Sequence, residues 1–180
     1  MSINVANLTL VLGGAASGKS AFAERLVVAT ERPRLYLATA QALDDEMRAK
    51  IDRHRAARGA GWRTIEAPLD LPAALSQAGA ADIVLLDCAT LWLSNHLLAD
   101  HDPERECSGL MHALAACPAP VVVVSNEIGM SPVPQNAMAR IFGQAQGALN
   151  RQLAAQAGLV VAVMAGLPLT LKGTLPAGVA

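Results

Sequence analysis

A chain of 180 residues is long enough to bury a sizeable core as one domain without disulfide staples. With 53% hydrophobic and 16% charged residues and a formal net charge of −1, it is neither a disordered polyelectrolyte nor a basic protein built to collect nucleic acid. Aromatic residues at 3% are too few for a base-stacking surface, and the three cysteines, Cys88, Cys107 and Cys117, have neither metal-ligand spacing nor the even number of a disulfide framework. Reduced thiols, the lack of a secretory pattern ahead of Lys19 and the lack of a bilayer-length apolar stretch predict a cytoplasmic protein without membrane insertion.

Short, near-continuously apolar runs alternate with longer amphipathic ones, as expected of buried strands and the helices that cover them. Leu8–Leu12 predicts the first strand. It runs into Gly13-Gly14-Ala15-Ala16-Ser17-Gly18-Lys19-Ser20, which matches G-x-x-x-x-G-K-[ST], and a helix is predicted over Lys19–Ala29. Glycines let such a loop turn its N–H groups toward phosphate oxygens, and the helix start adds a positive dipole end. In that setting Lys19 neutralises the β and γ phosphates and the Ser20 hydroxyl sits on Mg²⁺. A plain glycine-rich turn is the alternative, but strand, motif and helix in register favour the phosphate loop.

The second strand is predicted at Arg34–Thr39, and a helix follows over Asp44–Ala57. Asp44-Asp45-Glu46 suits its start. Arg48, Lys50, Arg53, Arg55 and Arg58 place five cations within eleven positions, enough to line a polyphosphate path or to form a solvated face. His54 shares a helical face with Met47 and Ile51. Its imidazole is either a nucleophile or a satisfied core residue, and spacing leaves both open.

Gly59–Gly61 reads as a loop, Leu71–Ala78 as a helix and Ile83–Asp87 as a strand that delivers one carboxylate to its C-terminal edge. Asp87 there binds metal, directly or through water, or caps the next helix. Helices are predicted over Leu91–Ala99 and Glu106–Ala116, with a loop at Ala99–Pro103. The strand Val121–Ser125 ends in Ser125-Asn126-Glu127, polar groups that either touch substrate or simply begin a connection. After the break at Pro132–Pro134 come a long helix, Asn136–Ala157, and a strand, Leu159–Met164. The tail 173–180 is expected to fray. His96, His101 and His112 show no metal-ligand spacing and receive no role.

The order of elements predicts an α/β fold, a P-loop NTPase-like single domain over residues 1–180 with a mostly parallel sheet flanked by helices. On the residues alone, a P-loop nucleotide-binding protein stands, either a small-molecule kinase or a non-catalytic nucleotide-binding module, with His54 left as nucleophile or structural residue.

The ordered set of motifs also resembles a known family, the bifunctional adenosylcobinamide kinases / adenosylcobinamide-phosphate guanylyltransferases of cobalamin biosynthesis. The resemblance runs from Leu10 to about Lys172. It rests on Gly13 to Ser20, Tyr36-Leu37-Ala38-Thr39-Ala40, Asp44-Asp45-Glu46-Met47, Ile51-Asp52-Arg53-His54-Arg55 with Arg58, and Trp62-Arg63-Thr64-Ile65-Glu66. Val124-Ser125-Asn126-Glu127-Ile128-Gly129-Met130, Val133-Pro134 and Asn150-Arg151 continue it. The resemblance implies that ATP or GTP phosphorylates adenosylcobinamide. It implies next that His54 takes GMP from GTP and passes it to adenosylcobinamide phosphate, giving adenosylcobinamide-GDP. It further implies a nucleotide site made of Gly13, Gly14, Ala15, Ala16, Ser17, Gly18, Lys19, Ser20, Ala38, Thr39, Ala40, Arg55, Ala56, Ala57, Arg58, Glu66 and Asp87. His54 and Lys19 are then catalytic, Ser20 and Asp87 hold Mg²⁺, and the assembly is a homotrimer. Glu66 either accepts guanine N–H groups or orients a basic residue. The chain departs from the family pattern at Ala16, where Arg is frequent, at Arg53-His54, where some members pair two histidines, and at Asp87, where some carry Glu.

Overall fold

The computed structural model describes residues 2–41, 49, 59–130 and 134–179. The first strand, β1 (Leu8–Gly13), is buried along its whole length and leads directly into α1 (Lys19–Val28). Strand β2 (Arg34–Ala38) and strand β3 (Trp62–Glu66) follow, then a short helix α2 (Leu71–Leu75). Strand β4 (Ile83–Asp87) opens onto α3 (Ala89–Leu98) and α4 (Pro103–Ala116). Strand β5 (Val121–Asn126), the long α5 (Ala137–Gln156), β6 (Leu159–Met164) and β7 (Leu167–Lys172) complete the chain order.

All seven strands join one sheet in the order β3-β2-β4-β5-β1-β6-β7. Every pairing is parallel except β6 with β7, which is antiparallel. Parallel strands buried on both faces need apolar side chains pointing both ways, which is why the β4 and β5 runs are continuous rather than alternating. One face carries Val11, Leu85, Val122 and Val124 against Phe22 and Leu26 of α1. The other carries Leu10, Leu37, Leu86 and Val123 against α2 to α5, with Trp92 and Leu149 fully buried.

Bounds of β4 and β6 coincide with the sequence reading, and the other predicted strands extend or shorten by a residue. Two strands had no predicted counterpart. Strand β3 lies at a sheet edge and only partly buries its residues, so it lacks the continuous apolar signature. Strand β7 forms the opposite edge, contains Pro168 and is largely exposed. Pro is tolerated at an edge because a missing N–H costs no central ladder bond. The helix predicted at Asp44–Ala57 lies, apart from Ala49, outside the described residues. Within the tail, Val179 is 5% exposed and belongs to the cluster under α1, with Leu175 packed against it.

Candidate active site

The C-terminal edge of the sheet gathers the predicted site residues through strand register. Ala38 of β2 lies opposite Glu66 of β3 on one side and Asp87 of β4 on the other. Asp87 is level with Val124 of β5, Val124 with Val11 of β1, and Gly13 with Asn126. With strands about 4.8 Å apart, the four steps from β3 to β1 span about 19 Å. Glu66 therefore stands at one end of the edge and the Gly13–Ser20 loop at the other, with Asp87 between them.

The loop itself is built for an anion. Ala16 (φ 56°) and Gly18 (φ 91°) adopt left-handed backbone, which re-aims consecutive N–H groups. Gly18 is required there twice over, because a Cβ would also approach Cα of Gly166 to 3.2 Å. At Gly13 a Cβ would come within 2.7 Å of the Val163 carbonyl. The start of α1 has no side-chain cap and no acidic residue in its first turn, so its initial N–H groups and positive dipole end face the loop. The Lys19 ammonium bends back across the loop and donates to the Gly14 carbonyl at 3.0 Å. Two neighbours hold the loop in place: Glu127 N–H donates to Gly13 O at 3.0 Å, and Gly166 N–H, from the β6–β7 turn, donates to Ser17 O at 2.9 Å.

Strand β5, not β4, is the immediate neighbour of β1, so Asp87 sits one strand further from the loop than Asn126. Both Lys19 and Asp87 are nevertheless felt at Cys88: burial first and Asp87 second push the thiol up to about 11, while Lys19 acts in the opposite direction. Burial likewise raises Cys107 to about 11, so these two thiols are protonated near neutral pH.

Thr39 is fully buried, and its hydroxyl is committed to the end of β4. It donates to Cys88 O at 2.8 Å and accepts from Cys88 N–H at 2.8 Å. Asn95 Nδ2 donates to Thr39 O and to Pro68 O, both at 2.9 Å. Thr39 thus locks the end of β2, the start of the segment after β3 and the residue following Asp87 into one unit. Replacing Thr39 with valine leaves the buried Cys88 N–H and carbonyl without their partner. Urea unfolding is expected to show a loss of about 1–3 kcal/mol, with nucleotide binding weakened through the displaced Asp87.

A buried polar network that sequence reasoning did not find fixes the end of β5. Ser125 Oγ donates to Asn150 Oδ1 at 2.7 Å, and Gln146 Nε2 donates to both Ser125 Oγ and Asn150 Oδ1 at 2.9 and 3.0 Å. Asn150 Nδ2 reaches Asn126 O at 3.0 Å, and Asn126 N–H donates to Thr90 Oγ1 at 2.8 Å. The available signal was the i,i+4 pair Gln146 and Asn150 on a helix facing a strand that ends in Ser125-Asn126. Beside the loop, Asn126 Oδ1 and Ser17 Oγ are buried with no hydrogen-bond partner among the described residues.

The structure brings together Gly13 to Ser20, Ala38 to Ala40, Glu66 and Asp87 along one edge. His54, Arg55, Ala56, Ala57 and Arg58 lie outside the described residues. For a divalent cation, the hydroxyl of Ser20 in the first turn of α1 and the carboxylate of Asp87 offer hard oxygen donors. The orphaned acceptor Asn126 Oδ1 suits a metal-bound water, so the residues present fit Mg²⁺.

Over residues 9–171 the chain matches the family described as cobinamide kinase / cobinamide phosphate guanyltransferase. It is 46% identical to the bifunctional adenosylcobalamin biosynthesis protein CobP of Pseudomonas aeruginosa, across 91% of this chain and 96% of that protein. It is 39% identical to CobU of Escherichia coli K12 and 41% identical to CobU of Salmonella typhimurium, each across 92% of this chain and 99% of the relative. Among solved structures, the fold is similar to flagellar accessory protein FlaH of Methanocaldococcus jannaschii, with a TM-score of 0.53, 12% identity and coverage of 94% of this chain and 80% of that one. A protein of Pyrococcus horikoshii OT3, PH0250, gives a TM-score of 0.55 at 8% identity, with coverage of 96% and 89%.

Proposed function

Because the chain belongs to the cobinamide kinase / cobinamide phosphate guanyltransferase family, and so is a bifunctional enzyme of adenosylcobalamin biosynthesis, we propose that a single nucleotide site along the sheet edge serves both reactions. The observation that carries this is the register row. It strings Glu66, Ala38 and Asp87 along the edge that ends at the Gly13–Ser20 loop, over a length suited to an extended nucleoside triphosphate. The triphosphate lies in the loop with its β and γ phosphates on the N–H groups of Gly14 to Ser20 and on the Lys19 ammonium, and the base lies toward Glu66.

In the kinase reaction, ATP or GTP gives its γ-phosphate to the aminopropanol hydroxyl of adenosylcobinamide. Lys19 and the start of α1 hold the charge that builds on the phosphoryl oxygens and on the departing diphosphate. In the second reaction, an imidazole nitrogen of His54 attacks the α-phosphorus of GTP. A P–N bond forms, the bond to the bridging oxygen breaks, and pyrophosphate leaves. A phosphate oxygen of adenosylcobinamide phosphate then attacks the same phosphorus, releasing the imidazole and giving adenosylcobinamide-GDP. Arg55 and Arg58 neutralise the triphosphate. Ser20 and Asp87 would hold Mg²⁺, which when bound supplies charge neutralisation at the phosphates. Thr39 positions: its hydroxyl serves Cys88, and its backbone lies at the edge.

Glu66 in this reading accepts the N1 and exocyclic N2 hydrogens of guanine. Adenine has no matching donor pair, so Glu66→Ala is expected to raise KM for GTP by roughly tenfold or more and leave KM for ATP nearly unchanged. An equal change for both nucleotides would place the base elsewhere.

We further propose a homotrimer and a cytoplasmic location. Support for assembly comes from β7, an edge strand exposing Leu167, Leu169 and Leu171 at 72%, 55% and 58%. An exposed apolar edge strand of this kind is ordinarily covered or charged. Light scattering is expected to give three times the monomer mass, and Leu169→Lys to lower it. A cytoplasmic location is in keeping with three unbridged cysteines and with the lack, among the described residues, of a helix long and apolar enough to cross a membrane.

A further inference from the structure

Away from the nucleotide edge, the turn between α3 and α4 brings together three side chains that the sequence scatters five residues apart. His96 Nδ1 lies 2.8 Å from His101 Nδ1 and 3.8 Å from Glu106 Oε2, and one ligand atom from each residue falls within a 4.8 Å cluster. Spacing of this kind follows no metal motif. It works here because His96 closes α3, His101 sits in the connecting turn, and Glu106 stands in the first turn of α4.

The tautomer of His96 is set from behind. Its Nε2 is 3.1 Å from Leu69 O, a carbonyl with nothing to donate, so Nε2 carries the hydrogen and Nδ1 presents a lone pair to the cluster. Leu69 O also accepts from Trp92 Nε1 at 2.8 Å, and the Trp92 ring packs edge-on against the imidazole with centroids 4.6 Å apart. A histidine whose second nitrogen is held by a backbone carbonyl is how metal-binding imidazoles are oriented. The His96 side chain is 4% exposed and that of Glu106 is 32% exposed, so the cluster is anchored in the core and open to solvent on one side.

We propose that His96, His101 and Glu106 form a second metal site, distinct from the nucleotide site, that takes a zinc-class divalent transition metal. Two neutral imidazoles and one carboxylate make a three-ligand set with a fourth position left for water, a donor set suited to zinc rather than to magnesium. In a tetrahedral zinc site the donor atoms stand about 3.3 Å apart. The 3.8 Å pair is already close to that separation, and the 2.8 Å pair opens by about half an ångström. Without metal, the short contact between the imidazoles is a hydrogen bond in which His101 Nδ1–H donates to His96 Nδ1. Binding needs His101 to carry its hydrogen on Nε2 instead, so that both Nδ1 lone pairs face the ion, together with small side-chain shifts that bring all three ligand atoms, now within 4.8 Å of one another, to that separation. The ion would brace the turn to Leu69 and, through the neighbouring Asn95, to Thr39 O and Pro68 O.

The test uses full-length protein stripped with chelator, kept in Mg²⁺ so that the nucleotide site is satisfied, and titrated with Zn²⁺ against a chromophoric competitor. Co²⁺ replaces Zn²⁺ in a parallel titration read by visible absorption. Wild type is compared with His101→Ala and Glu106→Gln, both at solvent-accessible positions, and with His112→Ala as a control on the exposed face of α4. Wild type and His112→Ala are expected to hold one zinc equivalent more than the other two variants and to show the strong visible bands of tetrahedral Co²⁺. The variants lose affinity by about a hundredfold or more, at least the cost of removing an outer-shell partner. At zinc a hundredfold above Kd, wild type gains roughly 5–10 °C in Tm and His101→Ala does not. Identical zinc stoichiometry and affinity in all four proteins, or no zinc bound by wild type, overturns the proposal and leaves the cluster a hydrogen-bonded corner.

Discussion

Lys19→Met is expected to lower kcat for both phosphoryl and guanylyl transfer by about 10²- to 10³-fold while leaving the fold intact. The ammonium lies across the loop, donating to Gly14 O at 3.0 Å, where the β and γ phosphates of the proposed pose would sit. Methionine keeps much of the stem's packing and removes only the charge and donors. The contact to Gly14 is exposed, so its loss changes stability by no more than about 0.5 kcal/mol. If both reactions load their triphosphate into this loop, as proposed, both should fall together in steady-state assays, with Tm unchanged. Loss of one activity alone would mean that the two reactions use different nucleotide sites.

His54→Ala is expected to divide the activities instead. In the proposed pathway guanylyl transfer runs through the imidazole, and removing a covalent nucleophile costs about 10⁴-fold or more. The kinase step needs the loop, Lys19 and the hydroxyl acceptor but no histidine, so its kcat should stay within about tenfold of wild type. Assays that follow pyrophosphate release from GTP and nucleoside diphosphate release from ATP separate the two. Equal loss of both activities would make His54 a structural residue of the segment rather than the carrier of GMP.

Much of this enzyme was legible before any coordinate. The phosphate loop is readable because its chemistry is local: the end of a strand, the glycines, the lysine and the start of a helix fall within the eight residues Gly13–Ser20. Strands β4 and β6 announce themselves because burial on both faces forces continuous apolar runs. Strand β3 does not, because an edge strand with partly buried residues loses that signature, and β7 is hidden by Pro168 and by exposure. What the sequence could not show is what depends on register. That Glu66, Ala38 and Asp87 stand in one row follows from three strands pairing, and no spacing in the chain encodes it. The Thr39 lock on Cys88 spans 49 residues, and the Ser125–Gln146–Asn150 network joins a strand to a helix beyond an intervening loop. His96 and His101 show no metal-ligand spacing, yet a helix–turn–helix corner places them with Glu106 in one cluster.

The central claim is that one nucleotide site feeds a histidine that carries GMP. Intact-protein mass spectrometry after incubation with Mg²⁺ and GTP tests it most directly, on wild type, His54→Ala and Lys19→Met. A GMP-sized, acid-labile adduct is expected on wild type, absent from His54→Ala and strongly reduced in Lys19→Met. An adduct that persists in His54→Ala, or none on a wild-type protein that binds GTP, would contradict the account.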